Sequence, residues 1–283
     1  MQEHQIIKKE TYSEDIKKFV LYEPLITKHC QPGEFIITRT KEYSERIPLT
    51  IADFNRDEKT LTIIFQEVGK STLELGKLEE GDIILDVIGP LGKPTHIKNY
   101  GTVVCIGGGI GVAPVYPIAK KLKEVGNKVI SVIGARNKSL LIMEDEMKQV
   151  SDEFIITTDD GSYGKKGFVT DALRELIDSG NKLDLCVAIG PVIMMKMVVK
   201  VTKEFNIPTI VSLNPIMVDG TGMCGACRVS IGGKTKFACV DGPDFDGFEV
   251  DFNELMKRQK IYTDEEKFAL EEYNKRIKKS LND

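Results

Sequence analysis

The second half of the 283-residue chain alternates apolar strands with amphipathic helices, and this alternation limits the fold more than any other feature. The run "TVVCIGGG" is continuously apolar and ends in glycines, and "VYPIAKKLKEV" follows it with helical spacing. Strand and helix then alternate about four times before "PTIVSLN". Continuous apolar strands joined by helices predict a doubly wound parallel sheet.

The first 97 residues have a different pattern of short apolar runs separated by Pro, Gly and charged turns. These runs are "FVLYEPL", "EFIITR", "IPLTIAD", "LTIIFQEV" and "DIILDVIG". Short strands at this spacing predict a small β-barrel. We therefore expect a barrel over residues 1–97, an α/β domain over 98–215, a cysteine module over 216–248 and a charged tail over 249–283.

The charged tail carries one apolar stripe at helical spacing. We expect the stripe to dock on the chain itself, with contact to a partner subunit as the alternative. Its members are Leu270, Tyr273, Ile277 and Leu281.

Composition excludes several classes of function. The net charge is -4 and no long basic run is present, which argues against a nucleic-acid partner. The N-terminus has no apolar signal-peptide core, and no run of apolar residues is long enough to cross a membrane. Cys30, Cys105 and Cys186 are scattered rather than spaced as a disulfide framework, so we expect a reduced cytoplasmic protein.

A glycine-rich loop follows the first strand of the α/β region. In "GGGIGVAP", residues 107–114, glycines allow backbone amides to approach a pyrophosphate, and the following helix N-terminus favours negative charge. Pro114 suits the first helical turn because it has no N–H to leave unpaired. The loop predicts a dinucleotide site, with a tight strand–helix turn as the alternative.

A second, weaker set of phosphate-binding signals lies in the barrel region. Arg46 and Thr50 flank the start of a strand in "RIPLT", and "GKST" at residues 69–72 supplies Gly69 in a glycine turn with hydroxyls. A guanidinium, a hydroxyl and a glycine turn can hold a second pyrophosphate. Exposed strand residues without a ligand are the alternative interpretation.

The stretch "DGTGMCGACRVSIGGKTKFAC" has metal-ligand spacing with an aspartate in the first position. Plant-type [2Fe–2S] sites use C-x4-C-x2-C and a distant fourth cysteine. In this chain four residues separate Asp219 from Cys224, and Cys227 and Cys239 follow. The spacing favours Asp219 as a cluster ligand. Zinc bound by the same four residues, or a cluster whose fourth ligand lies elsewhere, are the alternatives.

The order of these parts resembles the ferredoxin–NADP reductase superfamily, which joins a six-stranded flavin-binding barrel to a nicotinamide-binding α/β domain. "RIPLT" is similar to one branch of its flavin motif, although Ile47 stands where that branch often has arginine, so that Arg46 must supply the charge. The resemblance implies FAD as a cofactor. The flavin contacts it implies are Pro48, Leu49, Thr50, Ile64, Phe65, Gln66, Ser71 and Thr72. The nicotinamide motif G-x-G-x-A-P is matched by Gly109, Gly111, Ala113 and Pro114.

The cysteine module resembles that of the dihydroorotate dehydrogenase electron-transfer subunit, which has four cysteines in these places. With aspartate first, it is similar to the small subunit of NADH-dependent reduced ferredoxin:NADP+ oxidoreductase, an electron-bifurcating enzyme, and of sulfide dehydrogenase. The resemblance implies an oxidoreductase subunit that exchanges hydride with NAD(H) and passes electrons through FAD and the cluster to a larger flavoprotein partner, with ferredoxin reached through that partner. No side chain need act as acid or base, so we name no catalytic residue.

Two questions stay open in the sequence. Arg136 with Lys138 could accept the 2′-phosphate of NADP(H), whereas the resemblance implies NAD(H). The alternatives for function are the electron-transfer subunit of dihydroorotate dehydrogenase or sulfide dehydrogenase, and a non-catalytic redox-sensing or zinc-stabilised module that would bind no flavin.

Overall fold

The computed structural model describes residues 1–280, and their N-terminal part folds as a six-stranded antiparallel barrel. Its strands are β1 (Gln5–Ser13), β2 (Ile16–Tyr22), β3 (Phe35–Arg39), β4 (Ile47–Asn55), β5 (Thr60–Gln66) and β6 (Asp86–Leu91). They lie in the order β1-β2-β5-β4-β3-β6, and a bridge between Gln5 and Ile83 joins the two edges. Two short helices, α1 (Pro24–His29) and α2 (Lys70–Gly76), complete the barrel.

Alternating apolar side chains fill the barrel interior. Phe19 and Phe65 meet edge to face with ring centroids 5.1 Å apart, and Leu21, Leu61 and Ile63 are fully buried around them. Edge-to-face aromatic packing adds stabilisation beyond the area buried. The predicted barrel is therefore confirmed.

The second part is a parallel sheet covered by helices on both faces. Its strands are β7 (Thr102–Gly108), β8 (Lys128–Ala135), β9 (Glu153–Thr158), β10 (Lys165–Lys166), β11 (Leu185–Ile189) and β12 (Thr209–Ser212). The helices are α3 (Val112–Glu124), α4 (Glu144–Gln149), α5 (Val169–Asp178) and α6 (Val192–Glu204). The strand order β10-β9-β8-β7-β11-β12 is doubly wound, as predicted.

Each face of this sheet has its own hydrophobic core. Helices α3 and α4 pack with the odd-numbered side chains of β7 and β8, and α5 and α6 pack with the even-numbered ones. Strands buried on both faces read as continuous apolar runs, which is why the sequence pattern identifies them.

The cysteine module packs between the barrel and the sheet. It contains the hairpin β13 (Arg228–Ile231) and β14 (Lys234–Phe237), the short helix α7 (Ala238–Asp241) and β15 (Asp244–Asp246). β15 pairs antiparallel with β12, so the module adds an edge strand to the parallel sheet. Gly232 and Gly233 turn the hairpin with positive φ angles of 56° and 74°.

Two helices end the described chain, α8 (Phe252–Arg258) and α9 (Thr263–Ser280). α9 returns to the barrel and contacts α2, where the Lys77 ammonium lies 4.9 Å from the centre of the Tyr273 ring. Leu281, the last member of the apolar stripe, lies outside the described residues. Within residues 1–280, no helix has both the length and the apolar character needed to cross a bilayer.

Candidate cofactor-binding sites

The glycine loop lies at the carboxyl end of β7, in the centre of the parallel sheet. Residues Gly109–Gly111 form a single 3-10 turn and α3 begins at Val112, so Pro114 is in the first turn of the helix. Gly109 has φ +54°, and a side chain at Gly111 would lie 2.3 Å from the carbonyl oxygen of Ile189. The loop therefore needs glycine at both positions, and it presents free backbone N–H groups at a helix N-terminus.

The predicted flavin residues line a gap between two barrel strands. The first half of β4 pairs only with β3, Pro48 opposite Ile37 and Thr50 opposite Phe35, and pairing of β4 with β5 begins at Ile51. Residues 64–66 of β5 pair only with β2, which lies on the other side of β5. The two strands diverge here, and the segment Ile47–Thr50 faces the segment 64–66 across the opening.

The predicted residues contribute to this gap in different ways. Pro48, Leu49 and Thr50 are half-buried, and Ile64 packs toward the α/β domain. The Gln66 amide donates to Asp15 over 2.5 Å. The side chain of Phe65 is 2% exposed and belongs to the barrel core, so only its main chain is available to a ligand in the gap.

The second glycine turn, residues 69–72, lies next to this gap, and the unpaired guanidinium of Arg46 lies beside the turn. Arg46 is exposed on the loop before β4, and no hydrogen bond or ion pair involves its side chain within the described chain. Ser71 donates to Glu45 over 2.8 Å, whereas the Thr72 hydroxyl accepts from the Gly69 N–H over 3.1 Å and so fixes the start of α2. Arg46 is thus an unpaired cation beside this turn, and Thr72 shapes the turn.

The four candidate ligands of the cysteine module form two pairs. The sulfur atoms of Cys227 and Cys239 lie 3.1 Å apart in a buried position, close to the roughly 3.8 Å expected for two thiolates on one tetrahedral metal ion. Asp219 lies beside exposed Cys224, whose N–H donates to the Asp219 carboxylate over 2.8 Å. The backbone N–H of Thr221 also holds the pKa of the Asp219 carboxyl below its usual value, which keeps an anionic ligand available.

The two pairs fit a two-iron cluster better than a single ion. Among residues 1–280, no three His, Cys, Asp or Glu side chains converge on a point that would hold one metal ion. A zinc site needs all four ligands around one point, whereas each iron of a [2Fe–2S] cluster needs two from the protein. Glycines 220, 222 and 225 all have positive φ, so the backbone between the pairs turns sharply where other residues would be strained.

The barrel gap lies between the other two sites. Ile64, on one side of the gap, shares a hydrophobic cluster with Ala113 in the first turn of α3. Ile37, which pairs with Pro48 on the other side, shares a cluster with Cys227 and Cys239. The spatial order is thus glycine loop, barrel gap and cysteine pair.

Sequence reasoning did not identify some residues at these sites. Met194, in the first turn of α6, packs against the core, and its sulfur lies where a side chain at Gly108 would be, against the glycine loop. Gly190, at the end of β11, also allows this close approach. The signal for this close approach in the sequence was Gly190 itself, a second glycine directly after a buried strand.

Two protein-family models match the chain in the regions just described. The oxidoreductase NAD-binding domain matches residues 105–200, which include the glycine loop. The iron-sulfur cluster binding domain of dihydroorotate dehydrogenase B matches residues 214–251, which include all four candidate ligands. These matches confirm the predicted NAD-binding domain and the predicted iron–sulfur module.

Curated relatives cover nearly the whole chain. The dihydroorotate dehydrogenase B (NAD(+)) electron transfer subunit homolog of Thermotoga maritima is 52% identical over 272 residues, 96% of each protein. The dihydroorotate dehydrogenase B (NAD(+)) electron transfer subunit of Fusobacterium nucleatum is 34% identical over 262 residues, 89% of this chain and 96% of that one.

Solved structures give the same fold. A chain of the NADH-dependent reduced ferredoxin-NADP oxidoreductase structure, described in terms of flavin-based electron bifurcation, superposes with a TM-score of 0.92 at 51% identity and covers 96% of this chain and 98% of that one. An Amycolatopsis cytochrome P450 reductase superposes with a TM-score of 0.61 at 23% identity, over 71% of this chain and 65% of that one, and shows the fold alone.

The barrel, the NAD-binding sheet and the cluster module together define an oxidoreductase of the ferredoxin–NADP reductase fold with an iron–sulfur module added. More particularly, the chain belongs to the family of dihydroorotate dehydrogenase B electron-transfer subunits and their homologues.

Proposed function

We propose that the chain is an NAD(H)-linked electron-transfer subunit that holds FAD in the barrel gap and a [2Fe–2S] cluster in the cysteine module. The observation that carries the proposal is the position of the gap between the glycine loop and the cysteine pair. Bound FAD supplies the conversion between two-electron hydride transfer and one-electron transfer. The protein then has to align the three sites and exclude water from the path between them.

The chain's own residues serve as positioning groups in this proposal. Arg46 neutralises the flavin pyrophosphate, and Thr72 holds the turn. Ser71 hydrogen-bonds the pyrophosphate by turning its hydroxyl away from Glu45. Ile64 and Ala113 bring the flavin strand and the glycine loop into direct contact. No acid or base is assigned, since hydride and electron transfer between bound cofactors requires none from the protein.

The proposed cluster ligands are Asp219 and Cys224 for one iron and Cys227 and Cys239 for the other. The inner pair is buried against the barrel strand β3, and the outer pair includes exposed Cys224. The cluster therefore has one side toward the flavin gap and one side at the surface, which suits a relay between the flavin and a second protein.

For the partner we propose a larger flavoprotein and iron–sulfur subunit in the cytoplasm, with ferredoxin reached through it. The structural neighbour comes from an NADH-dependent reduced ferredoxin-NADP oxidoreductase, and this favours an electron-bifurcating assembly. The names of the curated relatives favour a second candidate, the electron-transfer subunit of a dihydroorotate dehydrogenase. Identifying the large subunit that co-purifies with the native chain distinguishes the two.

The test of the proposed function is cofactor analysis of the anaerobically purified chain followed by titration with NADH. We expect about one FAD, two iron and two acid-labile sulfide per chain, with NADH bleaching the flavin absorbance. Zinc in place of iron, or a colourless protein without flavin, would show that the module is structural or sensory instead.

A further inference from the structure

The carboxyl ends of β8 and β9 bring an acidic pair next to the glycine loop. β8 and β9 are parallel, with Ala135 opposite Thr158, and β7 ends level with them because Gly108 is opposite Gly134. The Asp159 N–H donates to the Ala135 carbonyl over 3.1 Å. Asp159 is therefore fixed at the same sheet edge as the loop.

The nucleotide's direction across this edge follows from the strand order. The order reverses between β7 and β11, and dinucleotides bind across the crevice at such a switch point. Gly108 at the end of β7 and Gly190 after β11 let Met194 pack closely against both strand ends. With the nicotinamide at the switch point, the adenosine half extends over β8 and β9. The adenine ribose then lies beside the residues that follow these strands.

The two cations at this corner differ in their surroundings. The Lys138 ammonium lies 4.8 Å from the centre of the Tyr163 ring, and the Tyr163 hydroxyl donates to Glu144 over 2.8 Å. The exposed Arg136 guanidinium lies within electrostatic range of Asp15 of the barrel, where hydrogen bonds from Gln66 and Ser13 lower the pKa of the carboxyl most and Arg136 adds to the effect. Lys138 is thus held in a ring contact, and Asp15 offsets part of the charge of Arg136.

The two acids of the pair differ in their surroundings. The Asp160 carboxylate accepts from the Ser162 N–H over 2.9 Å and closes the loop after β9. Thr158 ties the same loop by donating to the Tyr163 carbonyl over 2.6 Å. The Asp159 carboxylate is exposed and has no hydrogen-bond or ion-pair partner within residues 1–280. It is a free acceptor on a fixed backbone.

We propose that Asp159 selects NAD(H) over NADP(H) by accepting a hydrogen bond from the 2′-hydroxyl of the adenine ribose and repelling a 2′-phosphate. A carboxylate in this place suits a ribose diol, and like charges brought together on binding carry a large penalty. The inference rests on the proposed NAD(H) site. It assigns the specificity to a residue after the third strand of the sheet, in the loop next to Arg136.

The experiment is stopped-flow reduction of the flavin in the full chain, with its cofactors, by NADH and by NADPH. We expect the wild type to prefer NADH, and Asp159→Asn to reduce the NADH/NADPH ratio of apparent affinities by about tenfold or more. The limiting reduction rate, the FAD content and the cluster absorbance should stay unchanged. Asp178→Asn is the matched control, because it removes the same charge at the opposite edge of the sheet, at the end of α5.

Two results would overturn the assignment of Asp159 while leaving the proposed electron transfer through FAD and the cluster intact. One is an Asp159→Asn variant that keeps the wild-type ratio, and the other is a wild type that prefers NADPH. A wild type whose flavin is reduced by neither nucleotide would instead refute the NAD(H)-linked function itself, and the specificity assignment with it.

Discussion

Asp219 has two roles open to it, and its local geometry allows both. Its carboxylate closes a turn by accepting from the N–H groups of Thr221 and Cys224, over 2.9 and 2.8 Å. It also lies in the position that the [2Fe–2S] spacing gives to the first ligand. A substitution that keeps the turn but removes the anionic ligand separates the two roles.

Asp219→Asn comes nearest to that substitution, since its amide oxygen can still accept from the Thr221 N–H and close the turn. The amide NH2 cannot accept from the Cys224 N–H, and the neutral amide is a weaker ligand than the carboxylate. We expect Asp219→Asn and Asp219→Ala to lose most of their iron and sulfide, and Asp219→Cys to keep a cluster with an altered EPR spectrum and potential. Asp241→Asn, which removes an acid of the same module that accepts from the Phe237 N–H, should keep the cluster. If Asp219→Asn retains a stable cluster with an unchanged EPR signal, Asp219 only closes the turn.

At the scale of single residues, the sequence predicts what depends on spacing along the chain and misses what depends on strand register. Asp219, Cys224, Cys227 and Cys239 lie close together in sequence, so counting finds them. Asp159, the residue that we propose selects NAD(H), has no such signal in the sequence. The β8–β9 register that places it beside the nucleotide loop cannot be read from sequence.

At the scale of elements, burial on both faces decides which strands are recognised. β7, β8 and β11 are continuous apolar runs, whereas β1 is "QIIKKETYS", an edge strand with mostly half-exposed side chains, and it was not predicted. The short helices α1 and α2 were also missed, because one or two turns give too little periodicity. β15 joins the sheet through pairing that only the tertiary structure defines.

One glycine lets the cysteine module approach the barrel closely. Gly220 has φ +75°, and a side chain there would lie 2.8 Å from Leu91 and 2.9 Å from Ile37. We expect Gly220→Ala to lower the free energy of unfolding by roughly 1–3 kcal/mol more than Gly233→Ala, measured by denaturant unfolding of the reduced, cofactor-loaded chain. Gly233 is the control because its φ is +74° but no atom lies within 4 Å of the added carbon. Equal losses in the two variants would show that strain at positive φ, rather than the close approach, is responsible.

At the scale of the whole molecule, three parts of the chain meet at one buried carboxyl group. Asp244 lies on β15 of the cysteine module, pairs with Ser212 of β12 in the parallel sheet, and accepts from the hydroxyl of Thr95, in the segment that leaves the barrel, over 2.6 Å. Its second oxygen is buried without a hydrogen-bond partner. A nearby backbone bond, from the Lys93 N–H to the Gly242 carbonyl over 2.6 Å, joins the barrel and the module directly.

Burial raises the pKa of Asp244 to about 6, although hydrogen bonds from Thr95 and Ser212 oppose the shift. Because the folded-state pKa lies above the unfolded value of 3.8, the stabilising effect of the protonated group is complete below pH 3.8 and is lost as the pH rises through about 6. At neutral pH the fold must hold an ionised carboxylate at the junction of all three parts.

Asp244→Asn removes that charge and keeps the shape of the side chain. We expect the variant to exceed the wild type in free energy of unfolding by about 1–3 kcal/mol at pH 7.5, because a neutral amide avoids the desolvation of the carboxylate. The difference should shrink at pH 5, where the wild-type group is protonated, and the pH dependence between these values should flatten. Denaturant unfolding at both pH values measures this, with Asp246→Asn, at an exposed position of the same strand, as the control. A variant destabilised equally at pH 5 and pH 7.5 would mean that the carboxyl group's hydrogen bonds to Thr95 and Ser212, rather than its charge, decide the stability of the junction.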